Sequence, residues 1–153
     1  MPTLGVISDT HGLLRPEVLD ALRGCERIIH AGDIGSPEIL PALAEVAPVT
    51  AIRGNIDKAP WAQALPETAV VDFAGLLIYV LHNLQAMDLS PKAAGFAGVI
   101  SGHSHVPKQE IRGGVLYLNP GSAGPRRFRL PVSVARIRVY NGKLAPEIVL
   151  LEK

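Results

Sequence analysis

Seven side chains of the kinds that hold metal ions stand just behind apolar runs in this chain. Asp9 and His11 follow residues 4–8, Asp33 follows residues 27–31, Asn55 follows residues 49–53, His82 follows residues 76–81, and His103 and His105 follow residues 97–101. Each run reads as a buried strand. In an open α/β sheet, functional groups gather in the crevice beyond the carboxyl ends of the strands. Five strands ending at one edge would bring two carboxylates, one amide and four imidazoles together, a donor set for two metal ions. The set holds no thiolate. Mixed oxygen and nitrogen donors suit manganese, iron, cobalt or zinc better than copper(I) or an iron–sulfur cluster.

Spacing supports the grouping. Asp9 and His11 lie two apart, as do His103 and His105, and in an extended segment such residues point to the same side. Gly32 and Gly54 precede Asp33 and Asn55 and let the backbone turn tightly. A carboxylate has two oxygens and can bridge two cations. Taken alone, Asp-x-His, Gly-Asp and Gly-Asn are common turn elements. The combination carries the argument, because four of the five histidines fall inside these segments. The fifth, His30, lies within an apolar run and reads as a buried, hydrogen-bonded core histidine, with support of a ligand from behind as the other reading. The segment 102–106 lacks the second glycine of a nucleophile elbow, and no P-loop occurs. The run Asn119-Pro120-Gly121-Ser122 is a turn after a strand, and its backbone is also placed to line the crevice.

The elements that must position these residues alternate at first. Strands at 4–8, 26–30 and 49–53 are separated by helices at 14–23 and 37–46, the second with Ser36 as N-cap and Pro37 at its first position. Short connections of this kind imply parallel pairing with right-handed crossovers. Hairpins then follow: 70–73 with 76–81, 109–112 with 115–118, and 132–140 with 143–151 around Asn141-Gly142. Between them lie a loop at 59–66, a short helix at 89–94 and a buried strand at 99–101. Broken alternation near Ala135 suggests a bulge. The expected fold is α/β, two packed mixed sheets with helices outside, in a single domain over residues 1–153. One large mixed sheet is the alternative.

Composition narrows the class. Hydrophobic residues make up 48% of the chain and charged residues 19%, against roughly 25% charged in ordinary domains. The formal net charge is +1. Arg126, Arg127 and Arg129 form the densest basic cluster, so no nucleic-acid-binding patch is expected. Cys25 is the only cysteine; an intramolecular disulfide is impossible, which fits a reducing compartment. The opening Met1-Pro2-Thr3 has no basic stretch, and no apolar run reaches the roughly 20 residues that span a bilayer. The expectation is a soluble, cytoplasmic protein with no membrane partner.

The motifs Asp9-x-His11, Gly32-Asp33, Gly54-Asn55, His82 and Gly102-His103-x-His105, in this order, resemble those of the calcineurin-like metallophosphoesterases. Segments 53–57 and 118–122, with the small size, resemble the compact bacterial and archaeal phosphodiesterase branch. The resemblance runs from residue 5 to about residue 127. It implies a four-layer α/β/β/α sandwich and a dinuclear, metal-dependent phosphodiesterase acting on small phosphate esters. Manganese is the favoured ion, with iron, zinc, cobalt or nickel as alternatives. Asp9, His11, Asp33 and His105 would hold the first ion, and Asp33, Asn55, His82 and His103 the second, with Asp33 bridging. A hydroxide between the ions would attack phosphorus, so no catalytic side chain separate from the ligands is implied. Asn55, Asn83 and Arg126 are the expected substrate contacts, Asn83 having a turn cap as its other reading.

One departure concerns the leaving group. Larger family members carry histidine after the Gly-Asn pair, whereas this chain has Ile56, which leaves the general acid unassigned. Asp57 is the first place to look for one. Two other functions share the resemblance: a phosphomonoesterase with the same site, and a non-catalytic scaffold like a retromer subunit. Whether the chain forms a homodimer stays open.

Overall fold

The computed structural model describes residues 2–127 and 129–151; Met1, which belongs to the opening read above, lies outside them, as do the last two positions of the expected domain. The chain begins with β1 (Thr3–Ile7), α1 (Pro16–Leu22), β2 (Arg27–His30), α2 (Ile39–Ala44) and β3 (Val49–Ala51). The three strands are parallel, with Leu4 opposite Arg27 and Ile28 opposite Val49. Pro16 starts α1, and Val18 and Leu22 form its buried face. The start expected for the second helix is wrong. Helix α2 begins at Ile39, and the Ser36 hydroxyl bonds the Glu38 carboxylate instead of capping a backbone N–H. The reason lies upstream: Gly35 is left-handed and its N–H is tied to Asp57, so residues 36–39 complete a turn before the helix can begin.

A 3-10 turn at Pro60–Ala64 occupies the expected loop. Next come β4 (Thr68–Phe73), β5 (Leu76–Leu81), a 3-10 turn at Leu84–Ala86, α3 (Pro91–Ala94), β6 (Gly98–Ile100), β7 (Lys108–Arg112) and β8 (Val115–Asn119). These strands form a second sheet in the order β4-β5-β6-β8-β7. The chain then returns to the first sheet with β9 (Val132–Tyr140) and β10 (Lys143–Leu151), giving β10-β9-β1-β2-β3. Both sheets are mixed: β1, β2 and β3 are parallel in one, with the antiparallel pair β9 and β10 on one side, and β5, β6 and β8 are parallel in the other, with antiparallel β4 and β7 at its two edges.

The two sheets pack face to face. Leu4, Val6, Ile29 and Ile52 of the first meet Ile78, Val80, Ile100 and Leu118 of the second. The outer face of the first sheet, with Ile7 and Ile28, is covered by Val18 and Leu22 of α1 and Ile39 and Leu43 of α2. The outer face of the second, with Tyr79, Val99 and Val115, lies under Leu84, Met87 and Phe96. This is the expected four-layer sandwich. Central strands covered on both faces read as continuous apolar runs. Each large side chain so buried stabilises the fold by about 1.5–3 kcal/mol.

No bulge interrupts β9. Ala135 pairs with Val6 on one side and Ile148 on the other, in unbroken register. Alternation fails there because residues 132–135 are buried on both faces. Val134 packs on the helical side and Ala135 between the sheets, while the Ser133 hydroxyl donates to the Pro120 carbonyl at 2.6 Å. Cys25 is buried, and burial pushes its thiol up against the opposing charge of Arg136. Among the described residues no helix is long and apolar enough to cross a membrane.

Candidate metal centre

The carboxyl ends of β1, β2, β3, β5 and β6 share one edge of the sandwich, and all seven expected ligands sit in the turns just beyond them. Five of those ligands have left-handed backbone: Asp9 (φ 57°), His11 (46°), Asp33 (58°), His103 (73°) and His105 (65°). The extended-segment argument for the two i, i+2 pairs is therefore wrong. Tight left-handed turns aim these side chains, at a strain of about 1–3 kcal/mol each. Such strain persists only where the surroundings over-determine it. Here Asp9 N–H donates to the Gly32 carbonyl (3.0 Å), His11 N–H to that of Asp33 (3.0 Å) and Gly12 N–H to that of Ile34 (2.8 Å). Glycine is required at two close approaches. A Cβ at Gly54 would strike the Asp33 carboxylate, and one at Gly102 would strike the Ser8 hydroxyl and the Asp9 carboxylate.

The donor atoms converge. Asp9 Oδ2 accepts from the Ser8 hydroxyl (2.8 Å) and His103 N–H (3.1 Å). Its Oδ1 lies 3.4 Å from His105 Nε2 and 3.8 Å from Nε2 of both His11 and His82. Asp33 Oδ1 accepts from Ile56 N–H (3.1 Å), while Oδ2 lies 3.5 Å from His11 Nε2 and 3.2 Å from His82 Nε2. The imidazoles form two pairs, His11 with His105 and His82 with His103, each with ring centroids 5.2 Å apart. Among the described residues two groups are compact enough to hold a cation: Asp9, His11 and His105, and Asp9, Asp33 and His82. Among the described residues, Asp9 Oδ1, His11 Nε2, His82 Nε2 and His105 Nδ1 are buried without a hydrogen-bond partner, as is Arg15 Nε. Residues of this kind, so oriented, fit divalent ions.

Electrostatics agree. Burial raises the Asp33 carboxyl, but His82, the Ile56 N–H and His11 outweigh it and hold it below the ordinary value. Burial lowers His82, yet Asp33, the Ala31 carbonyl and Asp9 together raise it. Its Nδ1 is bound to the Ala31 carbonyl at 2.7 Å, so Nε2 is the atom turned to the carboxylates. His105 is lowered, first by burial and then by Arg127 and His11, against the pull of Asp9 and Asp33.

Asn55 is exposed and borders, with His82 and His103, a cleft of about 390 Å³. Asn83 accepts from Gln85 N–H (3.1 Å), capping the 3-10 turn, and also borders that cleft. Arg126 is exposed in the segment after Gly124.

Sequence reasoning undervalued the residues that brace these loops. His30 is fully buried; Nδ1 accepts from Gly32 N–H (3.1 Å), so Nε2 carries the proton and donates to Thr10 Oγ1 (3.0 Å), which donates to the Ile34 carbonyl (2.7 Å). The core reading of His30 is correct, and its chain of bonds locks the Asp9 turn to the Asp33 turn. Burial, against the charges of Asp9 and Asp57, lowers its pKa to about 4. Asp57 is turned inward. Oδ2 accepts from Gly54 N–H (2.8 Å) and Ile34 N–H (3.0 Å), and Oδ1 from Gly35 N–H (3.0 Å). It is committed to the backbone and is not placed as the missing acid; a lone acid two residues past Asn55 was the available signal. Asn119 donates to the Gly102 carbonyl (2.9 Å) and the Ser104 hydroxyl (3.1 Å), and the Ser122 hydroxyl donates to the Asp9 carbonyl (3.1 Å). The 119–122 run thus supports the ligand loops from behind.

Residues 3–142 match the model of the calcineurin-like phosphoesterase superfamily domain. A probable metallophosphoesterase of Methanothermobacter thermautotrophicus is 35% identical over 95% of this chain and 91% of its own length. The phosphodiesterase YfcE of Escherichia coli K12 is 30% identical over 87% of this chain and 85% of its own. The crystal structure of Chaetomium thermophilum Vps29 shares the fold, with a TM-score of 0.78 over 100% of both chains at 19% identity. With residues 3–142 matched to the family's model and a relative 35% identical over 95% of the chain, the chain belongs to the calcineurin-like phosphoesterase superfamily.

Proposed function

We propose that the protein is a phosphodiesterase working with two divalent ions, manganese first among them. In this reading Asp9, His11, Asp33 and His105 hold one ion, and Asp33, Asn55, His82 and His103 hold the other. The observation that carries it is the convergence of Asp9 Oδ1, His11 Nε2 and His82 Nε2, three buried donor atoms with no hydrogen-bond partner among the described residues, with His105 Nε2 3.4 Å from Asp9 Oδ1. An uncompensated buried carboxylate oxygen is strongly destabilising, and a cation removes that penalty. The pairing of the imidazoles, one pair to each ion, supports the division. Asp9 is common to both compact donor groups and competes with Asp33 as the bridge. Asp33 is favoured because its Oδ2 reaches one imidazole of each pair, His11 at 3.5 Å and His82 at 3.2 Å, whereas Asp9 Oδ1 is close to one pair only, 3.4 Å from His105 and 3.8 Å from His82.

Two such ions, when bound, generate a nucleophile from water at neutral pH and neutralise charge on the phosphoryl oxygens. The chain's own residues do the rest. The Ala31 carbonyl fixes the His82 ring, and the Ile56 N–H fixes the Asp33 carboxylate. Asn83 spends its carbonyl oxygen on the turn, so its amide N–H is what it offers a phosphoryl oxygen. Ile56 is 42% exposed beside Asn55 and carries no proton, so the leaving oxygen departs without a side-chain acid there. The name of the YfcE relative favours diesters over monoesters.

The test is turnover of bis(p-nitrophenyl) phosphate against p-nitrophenyl phosphate by manganese-loaded protein, with metal content measured in parallel. The diester should be the better substrate. Asp33→Asn should abolish turnover and lower metal at both positions, and Asp9→Asn should spare one. Two ions retained per chain in Asp33→Asn would rule out the bridge. A fully loaded protein inert toward both esters would favour the scaffold reading.

A further inference from the structure

Two clefts meet at the metal centre, and both are bordered by His103 and Asn83. The segment 83–88 divides them. One cleft, described above, lies on the β4–β5 side, with Arg53, Glu67, Thr68 and Asp88 in its wall. The other, of about 420 Å³, runs along β8 and β7 past Tyr117 to Arg112. Both are at the scale of small-ligand sites. The dinuclear reading assigns phosphorus to the junction and says nothing of what fills either cleft.

The second cleft is built around one flat group. The Arg112 guanidinium carbon sits 4.5 Å from the centroid of the Tyr117 ring. Arg112 Nε and Nη2 donate to the two Glu110 oxygens at 2.9 and 3.2 Å. One face and one edge of the guanidinium are thereby fixed, while half of the side chain stays exposed. An arginine held in this way loses little freedom when a third plane stacks on its open face. Charge differs between the clefts. Lys108 also pairs with Glu110, at 3.1 Å, so two cations share one carboxylate and a positive charge is left over. In the first cleft Arg53 pairs with Glu67 at 3.2 Å, and a second acid, Asp88, also lines the wall.

We propose that the β7–β8 cleft is the subsite for one arm of the diester, and that it selects a flat, electron-rich aromatic or heteroaromatic arm by stacking on Arg112. The proposal rests on the phosphodiesterase reading for the position of phosphorus, but the stack itself is a binding property of the cleft. An aliphatic arm of equal bulk gains nothing from the guanidinium plane. Stacking on an aromatic or guanidinium platform changes affinity by roughly tenfold per ring.

The test compares 4-phenylbutylphosphonate with 4-cyclohexylbutylphosphonate, whose flexible spacers let the ring reach Arg112 from phosphorus at the junction and which match in bulk and differ in flatness. Binding to the manganese-loaded protein is measured by calorimetry and as competitive inhibition of bis(p-nitrophenyl) phosphate hydrolysis. Wild type should bind the phenyl compound about tenfold more tightly. Arg112→Ala and Arg112→Lys should both lose that preference, with the affinity of the cyclohexyl compound and the metal content unchanged; the lysine variant keeps the charge and removes only the plane. Equal affinity for the two compounds in the wild type, or a loss in Arg112→Ala that weakens both alike, overturns the stacking subsite. Active protein without the preference refutes this inference alone. Protein inert toward diesters that still shows the Arg112-dependent preference refutes the reaction and leaves the subsite standing. No hydrolysis and no binding of either phosphonate refutes both.

Discussion

Replacing Asp57 by asparagine separates a brace from a catalyst. The carboxylate accepts three backbone N–H groups, from Gly54, Ile34 and Gly35, and so ties the turn carrying Asp33 to the turn carrying Asn55. An asparagine keeps at most two of the three, with its oxygen where Oδ2 now lies, and then points an amide N–H at the Gly35 donor. Hydrogen bonds to a charged acceptor are worth about 1.5–3 kcal/mol each and neutral ones about 0.5–1.5 kcal/mol. One bond is lost outright and two are weakened by roughly 1 kcal/mol each. Gly35 is exposed, so water recovers part of its loss. The net destabilisation is then about 3 kcal/mol, which for a chain of this size lowers Tm by roughly 6–12 °C. Asp57→Ala, which keeps none of the bonds, should fall further. Urea and thermal unfolding of the metal-free variants give these numbers, and manganese titration should show weaker binding because both ligand turns have loosened. At saturating manganese, the dependence of rate on leaving-group pKa should match that of the wild type. An Asp57→Asn protein with wild-type stability and metal affinity, but with the rate lost mainly for basic leaving groups, would refute the brace and make Asp57 the general acid.

Two further outcomes are expected. His30, held at about pH 4 by burial against an ordinary 6.5, stays neutral in the folded chain while the unfolded chain takes up a proton, so stability rises with pH between about 4 and 6.5 and is flat above; the loss on acidification is about 3 kcal/mol. Urea unfolding of metal-free protein at pH 4.5 and 7.5 should show a fall 2–3 kcal/mol larger in wild type than in His30→Gln, roughly in line with that shift, and equal falls would sink the assignment. Because Ile56 supplies no proton, kcat/KM for aryl methyl phosphates should drop steeply as phenol pKa rises, and Ile56→His should flatten the slope, a positioned acid being worth about 10²–10⁴-fold; a flat wild-type slope with chemistry rate-limiting would mean that an acid exists elsewhere.

What the sequence made legible was whatever depends on pattern along one strand. Runs covered on both faces, such as residues 76–81, announce a central strand, and a polar group placed just past the run must lie at its carboxyl end. That logic located Asp9, His11, Asp33, Asn55, His82, His103 and His105 at one edge without any knowledge of pairing order. It failed where geometry is set by contacts distant in the chain. Ala135 looked like a bulge because alternation presumes one solvent face, and β9 has none over residues 132–135. Ser36 looked like a cap, but Asp57, some twenty residues on, claims Gly35 and shapes the turn first. The two i, i+2 pairs were expected to be extended, and they are left-handed. That strain is sustained by bonds such as His11 to Asp33 and Asn119 to Gly102, which no local window contains. The candidate ligands are thus local signals, while the forces that aim them are not. The same holds for Arg112, which reads as an ordinary charge at a strand end until the fold sets it against Tyr117 of the neighbouring strand and at the far end of a cleft that starts at His103.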